Sequence, residues 1–153
     1  MSYELVPGTP GVDDFLRLRK VSGLSEKTRE AAERGLPNTW FAVTVRHAGR
    51  VVGMGRVIGD GGTAFQITDM AVEPQHQGKG LGKQIMSALV DHIRANAPAS
   101  AYVSLIADGD AQHLYAKYGF TPVAPASIAM AFKLGDTSHR LPPKGERAES
   151  LSA

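Results

Sequence analysis

Alternation of apolar and polar positions sets out the middle of the chain. Trp40–Arg46 alternates, Ala48-Gly49 turns, and Arg50–Ile58 alternates back, which predicts a β-hairpin. Gly59-Asp60-Gly61-Gly62 is a second turn, and Phe65–Val72 is the third member of the meander. The period then changes. Leu81, Ile85, Ala88, Leu89 and Ile93 recur at helical spacing, predicting a helix to about Asn96 that Pro98 closes. Tyr102–Ile106 predicts a strand and Asp110–Tyr118 a helix stopped by Gly119. Phe120–Val123 and Ser127–Phe132 are expected as a final strand pair around Pro122 and Pro125. Ahead of the meander, residues 3–6 suit a short strand. Residues 12–20 suit a helix, with Asp13 and Asp14 in its first turn and Phe15, Leu16, Leu18 and Arg19 following. Ser25 is the expected cap of a second helix through about Arg34, ended by Gly35 and Pro37. That helix has almost no apolar face and reads as a surface lid.

These elements give a mixed α/β (α+β) class: an antiparallel meander, then strand–helix–strand, flanked by helices. The unit from Phe65 through Ile106 should be parallel with a crossover helix. Residues 1–134 are expected to form one domain, long enough to bury a core without covalent staples. From Gly135 the composition is polar with Pro142-Pro143, so residues 135–153 are expected to be a flexible tail.

The junction between the third meander strand and the long helix carries the chemistry. Gln75-His76-Gln77-Gly78-Lys79-Gly80-Leu81-Gly82-Lys83 is a glycine-rich turn at a helix start. Such a turn presents unpaired N–H groups at the positive end of the helix dipole, a site for phosphate or pyrophosphate. The run is not a Walker A loop, because Gln77 and Gln84 stand where Gly and Ser/Thr should be. It is not the dinucleotide fingerprint, because Lys83 takes the third glycine position. It does match Q-x-x-G-x-G, as Gln75, Gly78 and Gly80. A second match follows, Ala111-x-x-Leu114-Tyr115-x-Lys117-x-Gly119-Phe120. Together and in this order, the two motifs resemble the GNAT superfamily of acetyl-CoA-dependent N-acetyltransferases, over residues 3–134. One departure from the family pattern is Gly109, which stands where that family often has Asn.

The resemblance implies a GNAT-like fold whose two central strands splay apart, with acetyl-CoA as acyl donor; no metal is expected, because no metal-ligand cluster appears in the sequence. It implies that the backbone of Met70, Ala71 and Val72 contacts the acetyl and pantetheine portion. Gln77, Gly78, Lys79, Gly80, Leu81, Gly82 and Lys83 would hold the pyrophosphate. Acetyl transfer to an amine needs a neutral amine, donors for an oxyanion and a proton for the leaving thiolate. Tyr115 is the expected general acid; the alternative is a tyrosine packed with Leu114 and Phe120. Asp69 is the first candidate base, because a carboxylate on a strand face with Phe65, Ile67 and Ala71 is costly unless partnered. Its alternative is an ion pair with Arg56. Glu73 is the second candidate, acting through water; its alternative is a solvated turn residue. Gly23–Asn38, Trp40, Phe41 and the turn at 122–128 are expected to build the acceptor pocket.

Composition narrows the rest. The absence of cysteine excludes disulfides, a thiolate metal site and a cysteine nucleophile. The five histidines show no metal-ligand spacing. A net charge of +2 without a clustered basic patch speaks against a nucleic-acid partner. No apolar run approaches membrane-spanning length and the first residues carry no signal-peptide pattern, so a cytoplasmic location is expected, with a homodimer allowed. The expected function is transfer of acetyl from acetyl-CoA to a small-molecule primary amine, by direct attack in a ternary complex. A protein lysine or N-terminal acetyltransferase, and a non-catalytic acetyl-CoA-binding module, are the alternatives.

Overall fold

The computed structural model describes residues 2–135, so all of the expected tail but Gly135 lies outside the described residues. The chain divides into two units, Met1–Thr121 and Pro122–Ala153. The first holds a five-stranded sheet in chain order. Strands β1 (Tyr3–Pro7), β2 (Phe41–His47), β3 (Arg50–Gly59) and β4 (Ala64–Val72) pair antiparallel, and β5 (Tyr102–Ser104) pairs parallel to β4. The crossover between β4 and β5 is the helix α3 (Leu81–Asn96). Its stripe of Leu81, Ile85, Leu89 and Ile93 packs on Val43, Val45, Val57, Phe65 and Ile67. Helices α1 (Val12–Val21) and α2 (Arg29–Gly35) bring Phe15, Leu18 and Ala32 onto Val51, Met54 and Ala71, forming a second core on the other side of the sheet. The helix α4 (Ala111–Ala116) follows β5. No helix among the described residues is long and apolar enough to cross a membrane.

Side-chain chemistry explains several local features. The β3–β4 turn is organised by Asp60, whose carboxylate accepts from the backbone N–H of Gly62 (2.8 Å), Thr63 (2.8 Å) and Ala64 (3.2 Å). These bonds hold the carboxyl well below the usual carboxylate range. Gly59 must be glycine there, since a Cβ would lie 2.2 Å from the Ala64 carbonyl oxygen. The second helix starts later than the sequence suggests. Thr28 caps it, accepting from the Ala31 N–H at 3.1 Å, because both oxygens of Ser25 accept from Arg19 instead.

The expected strand over 127–132, in the second unit, does not form, and residues 120–123, which straddle the boundary, are not strand either. Pro122 and Pro125 supply no N–H to a ladder. The Ser127 N–H is spent on the Val123 carbonyl at 2.9 Å, which closes a turn.

Candidate active site

The sheet comes apart at one place. Pairing of β4 with β5 runs only from Ala64↔Tyr102 to Gln66↔Ser104, so residues 67–72 lose their neighbour on that side. The β3–β4 register slips between Met54 and Arg56, where Asp69 and Met70 face the single residue Gly55. Asp69 takes φ +58°, a left-handed conformation uncommon outside glycine. This is a β-bulge, and it reverses the alternation. Phe65 and Ile67 face α3, whereas Ala71 faces α1. The expected shared face of Phe65, Ile67, Asp69 and Ala71 is therefore corrected: one extra residue turns Asp69 away from the α3 core. Gly55 admits the bulge, since a Cβ there would lie 2.5 Å from Ile85 and 2.9 Å from the Met70 sulfur.

The glycine turn sits at the open end of this gap. Gly78 and Gly80 adopt φ +77° and +81°, and space beyond both is clear for at least 4 Å where a Cβ would point. Gly80 is the N-cap of α3, and no side chain caps the helix's first N–H groups. The Gln77 amide donates to the Val72 carbonyl at 2.9 Å, which ties the turn to the end of β4. A cavity of about 460 Å³ runs from Gly78, Gly80 and Gly82 to Met70, Leu114 and Tyr115. Ala71, Val72, Gln77 and Leu81 also line it. Lys79 and Lys83 do not: the Lys79 ammonium lies 5.7 Å from the Tyr3 ring centroid, and the Lys83 carbonyl accepts from Tyr118 at 2.9 Å.

A second cavity, of about 530 Å³, lies between β4, Leu105–Asp108 and the segment Gly23–Ser25. It shares Met70, Ala111 and Tyr115 with the first. Tyr115 thus stands at the junction, half-buried, its hydroxyl without a hydrogen bond among the described residues. Burial pushes its phenol above the ordinary value and the Asp108 carboxylate adds to this, so the proton is held through neutral pH. Tyr118 is structural, bonded to Ser87 (2.9 Å) and Lys83 across α3.

Asp69 lines the second cavity and is nearly buried, its side chain 7% exposed. Its Oδ1 accepts from Arg19, and its Oδ2 lies 3.4 Å from Arg56 Nε. Both guanidinium groups lie within 6 Å of the Phe15 ring, at 5.8 and 5.6 Å from its centroid. Burial drives the Arg56 pKa down, Asp69 opposes this and Arg19 adds to it. Arg19 was not foreseen as a site residue. The signal was present: it falls at i+4 from Phe15 and beside Leu18, a buried position that a cation occupies only with a partner.

Glu73 is placed apart from these cavities. Its side chain, 2% exposed, accepts from Arg17, from Arg50 Nε at 3.0 Å and from Gln75 at 3.3 Å. Its backbone N–H donates to the Val52 carbonyl at 2.8 Å. It is not a solvated turn residue, and it lines neither of Tyr115's cavities. Trp40 and Phe41 are also absent from the acceptor cavity; they pack on Phe65 and His92, with the Phe41 and His92 rings stacked at 3.6 Å. Of the expected acceptor residues in the first unit, Gly23, Leu24 and Ser25 line that cavity.

The acetyltransferase (GNAT) domain model matches residues 37–122, more than half of the chain. The chain belongs to the GNAT acetyltransferase family. A crystal structure of a probable acetyltransferase of unknown function from methicillin-resistant Staphylococcus aureus is 48% identical to this GNAT chain. The two superpose with a TM-score of 0.82, over 86% of this chain and 99% of that one. The chloroplastic serotonin N-acetyltransferase 2 of Oryza sativa subsp. japonica is 35% identical over 85 residues, 56% of this chain and 42% of that protein. The matched regions span less than half the length of the curated relatives. A Mycobacterium tuberculosis protein solved in complex with CoA has a TM-score of 0.60 at 20% identity, covering 77% of this chain and 72% of that one, a likeness of fold.

Proposed function

We propose that this GNAT chain transfers an acetyl group from acetyl-CoA to the primary amine of a small molecule, by direct attack with both substrates bound. The observation that carries the reading is the meeting of two cavities at Met70 and Tyr115, where β4 has left β5. The first cavity suits a phosphate-bearing donor: left-handed glycines with clear space, at the uncapped start of a 16-residue helix. Bound there, acetyl-CoA would supply an activated acetyl thioester. The β4 backbone at 70–72, unpaired on the β5 side, offers N–H groups to a carbonyl oxygen.

Two side chains then manage the protons. Asp69, which lines the acceptor cavity, would accept from the amine, directly or through water. Tyr115 holds its phenolic proton at the junction, where a leaving thiolate requires one. An acyl-cysteine route is not available within this chain. Glu73 serves the architecture, clamping the end of β4 to α1 and β3 through Arg17 and Arg50.

A thiol-release screen tests the reading. Small amines, lysine peptides and peptides with a free N-terminus are each mixed with the protein and acetyl-CoA. Release with small amines, and not with peptides, is expected. Release with peptides alone would move the acceptor to protein. A melting shift with acetyl-CoA but no release with any amine would leave a binding module.

A further inference from the structure

A third cavity, of about 370 Å³, lies behind the Arg19–Asp69 pair, between α1, α2 and the strands β3 and β4. It shares Arg19, Thr68 and Asp69 with the acceptor cavity, so the two adjoin across that pair. Its size falls within the range of small-molecule sites, about 300–1,000 Å³. Arg19, Lys27 and Arg56 line it against the one carboxylate of Asp69. Arg56 is 7% exposed, and its guanidinium donates no hydrogen bond among the described residues; Nε is buried, with Asp69 Oδ2 at 3.4 Å as its counter-charge. The molecule therefore keeps an almost fully buried cation that makes no hydrogen bond and shares its one carboxylate with Arg19, beside an exposed lysine, in a cavity with positive charge in excess. Buried charge left in that condition is costly unless a ligand completes it. A guanidinium fork matches a carboxylate or phosphate better than any neutral group.

We infer that the acceptor amine carries an anionic group, a carboxylate or a phosphate, held by Arg56 and Lys27 in this third cavity. This rests on the acetyltransferase reading of the adjoining site. The amine end lies beside Asp69 and Tyr115, and the acceptor reaches past the Arg19–Asp69 pair, which both cavities share, to the anionic end. Phe15, Ala31, Leu36 and Ile58 supply apolar wall, so the acceptor's middle is hydrocarbon rather than polyol.

The test uses three primary amines of matched length, ending in a methyl group, a carboxylate or a phosphate monoester. Both anionic amines should exceed the neutral one in kcat/KM by at least about tenfold at low salt. The advantage should shrink as ionic strength rises, and the better of the two identifies the anion. Lys27→Met should raise KM for the anionic amines with kcat retained. Lys20→Met, an exposed cation outside the cavity, is the control and should change neither. Equal use of the three amines, or an anionic advantage untouched by Lys27→Met, would overturn the inference and leave the acetyltransferase reading standing. A binding arm needs no turnover: succinate and inorganic phosphate should raise the melting temperature, less so in Lys27→Met than in Lys20→Met. If no amine is acetylated, the acetyltransferase reading fails while this arm still decides the anion site. No shift with either anion would remove it.

Discussion

Replacing Glu73 with Gln separates a clamp from a catalytic base. The substitution keeps the shape and turns one carboxylate oxygen into an NH₂ group that faces Arg17, Arg50 or Gln75, all donors. A hydrogen bond to a charged group is worth about 1.5–3 kcal/mol. Arg50 is 57% exposed and can turn to water, so its share is small. Arg17 is 25% exposed and also donates to the Val51 carbonyl at 2.7 Å, so it stays in place and faces the new amide. The loss is therefore about 2–3 kcal/mol, one bond to a charged group and a fraction of another. For a domain of this size each kcal/mol moves the melting temperature by roughly 3–5 °C, giving a fall of about 6–15 °C. Differential scanning fluorimetry reads the fall, and steady-state thiol release well below both melting temperatures reads the chemistry, where turnover should stay within about threefold. An unchanged melting temperature with a hundredfold loss of turnover, recovering at high pH, would refute the clamp and make Glu73 the base.

Tyr115→Phe should leave the fold and acetyl-CoA affinity unchanged and lower turnover at least about tenfold, the low side of acid–base effects. Since burial and Asp108 raise the phenol, the wild-type alkaline fall in rate should begin above the ordinary tyrosine value and vanish in the variant; wild-type turnover with an unchanged profile would make Tyr115 a packing residue. Gly78→Asp and Gly80→Asp each set a carboxylate and an L side chain at a left-handed position of the glycine turn, so the melting shift with acetyl-CoA should disappear; a full shift in both would remove the turn from the donor site. Asp69→Asn should destabilise by about 3–5 kcal/mol, because Arg19 and Arg56 lose their carboxylate, and its residual turnover should recover partly at high pH where free amine is abundant; loss of stability with normal turnover would leave only the ion pair.

Local features were readable from sequence, and features made by distant residues were not. The glycine turn and α3 could be read because Gly78, Gly80 and the Leu81–Ile93 stripe each act within a few residues. The meander could be read because its turns are glycine-rich and its strands alternate. The bulge at Asp69 is different: the reversal of faces depends on Gly55 in the neighbouring strand, and nothing at 65–72 announces an extra residue. Glu73 looked like a turn residue because its partners Arg17 and Arg50 are 56 and 23 positions away. Ser25 looked like a cap because Ser is a good cap, but Arg19 had a stronger claim on its oxygens. The last strand pair was expected around Pro122 and Pro125, and those prolines, which supply no N–H to a ladder, weigh against it.

The parting of β4 from β5 also governs how the backbone breathes. Amides of residues 67–72 that face away from β3 have no β5 carbonyl to hold them, although they sit in the middle of a sheet. Their hydrogens should exchange with deuterium far faster than those at 64–66, where the ladder is intact. The sheet thus carries a soft seam between β4 and its short edge strand β5. A donor seated in the cleft would occupy those amides as a missing strand would, and the slowing of exchange along 67–72 would trace its footprint residue by residue.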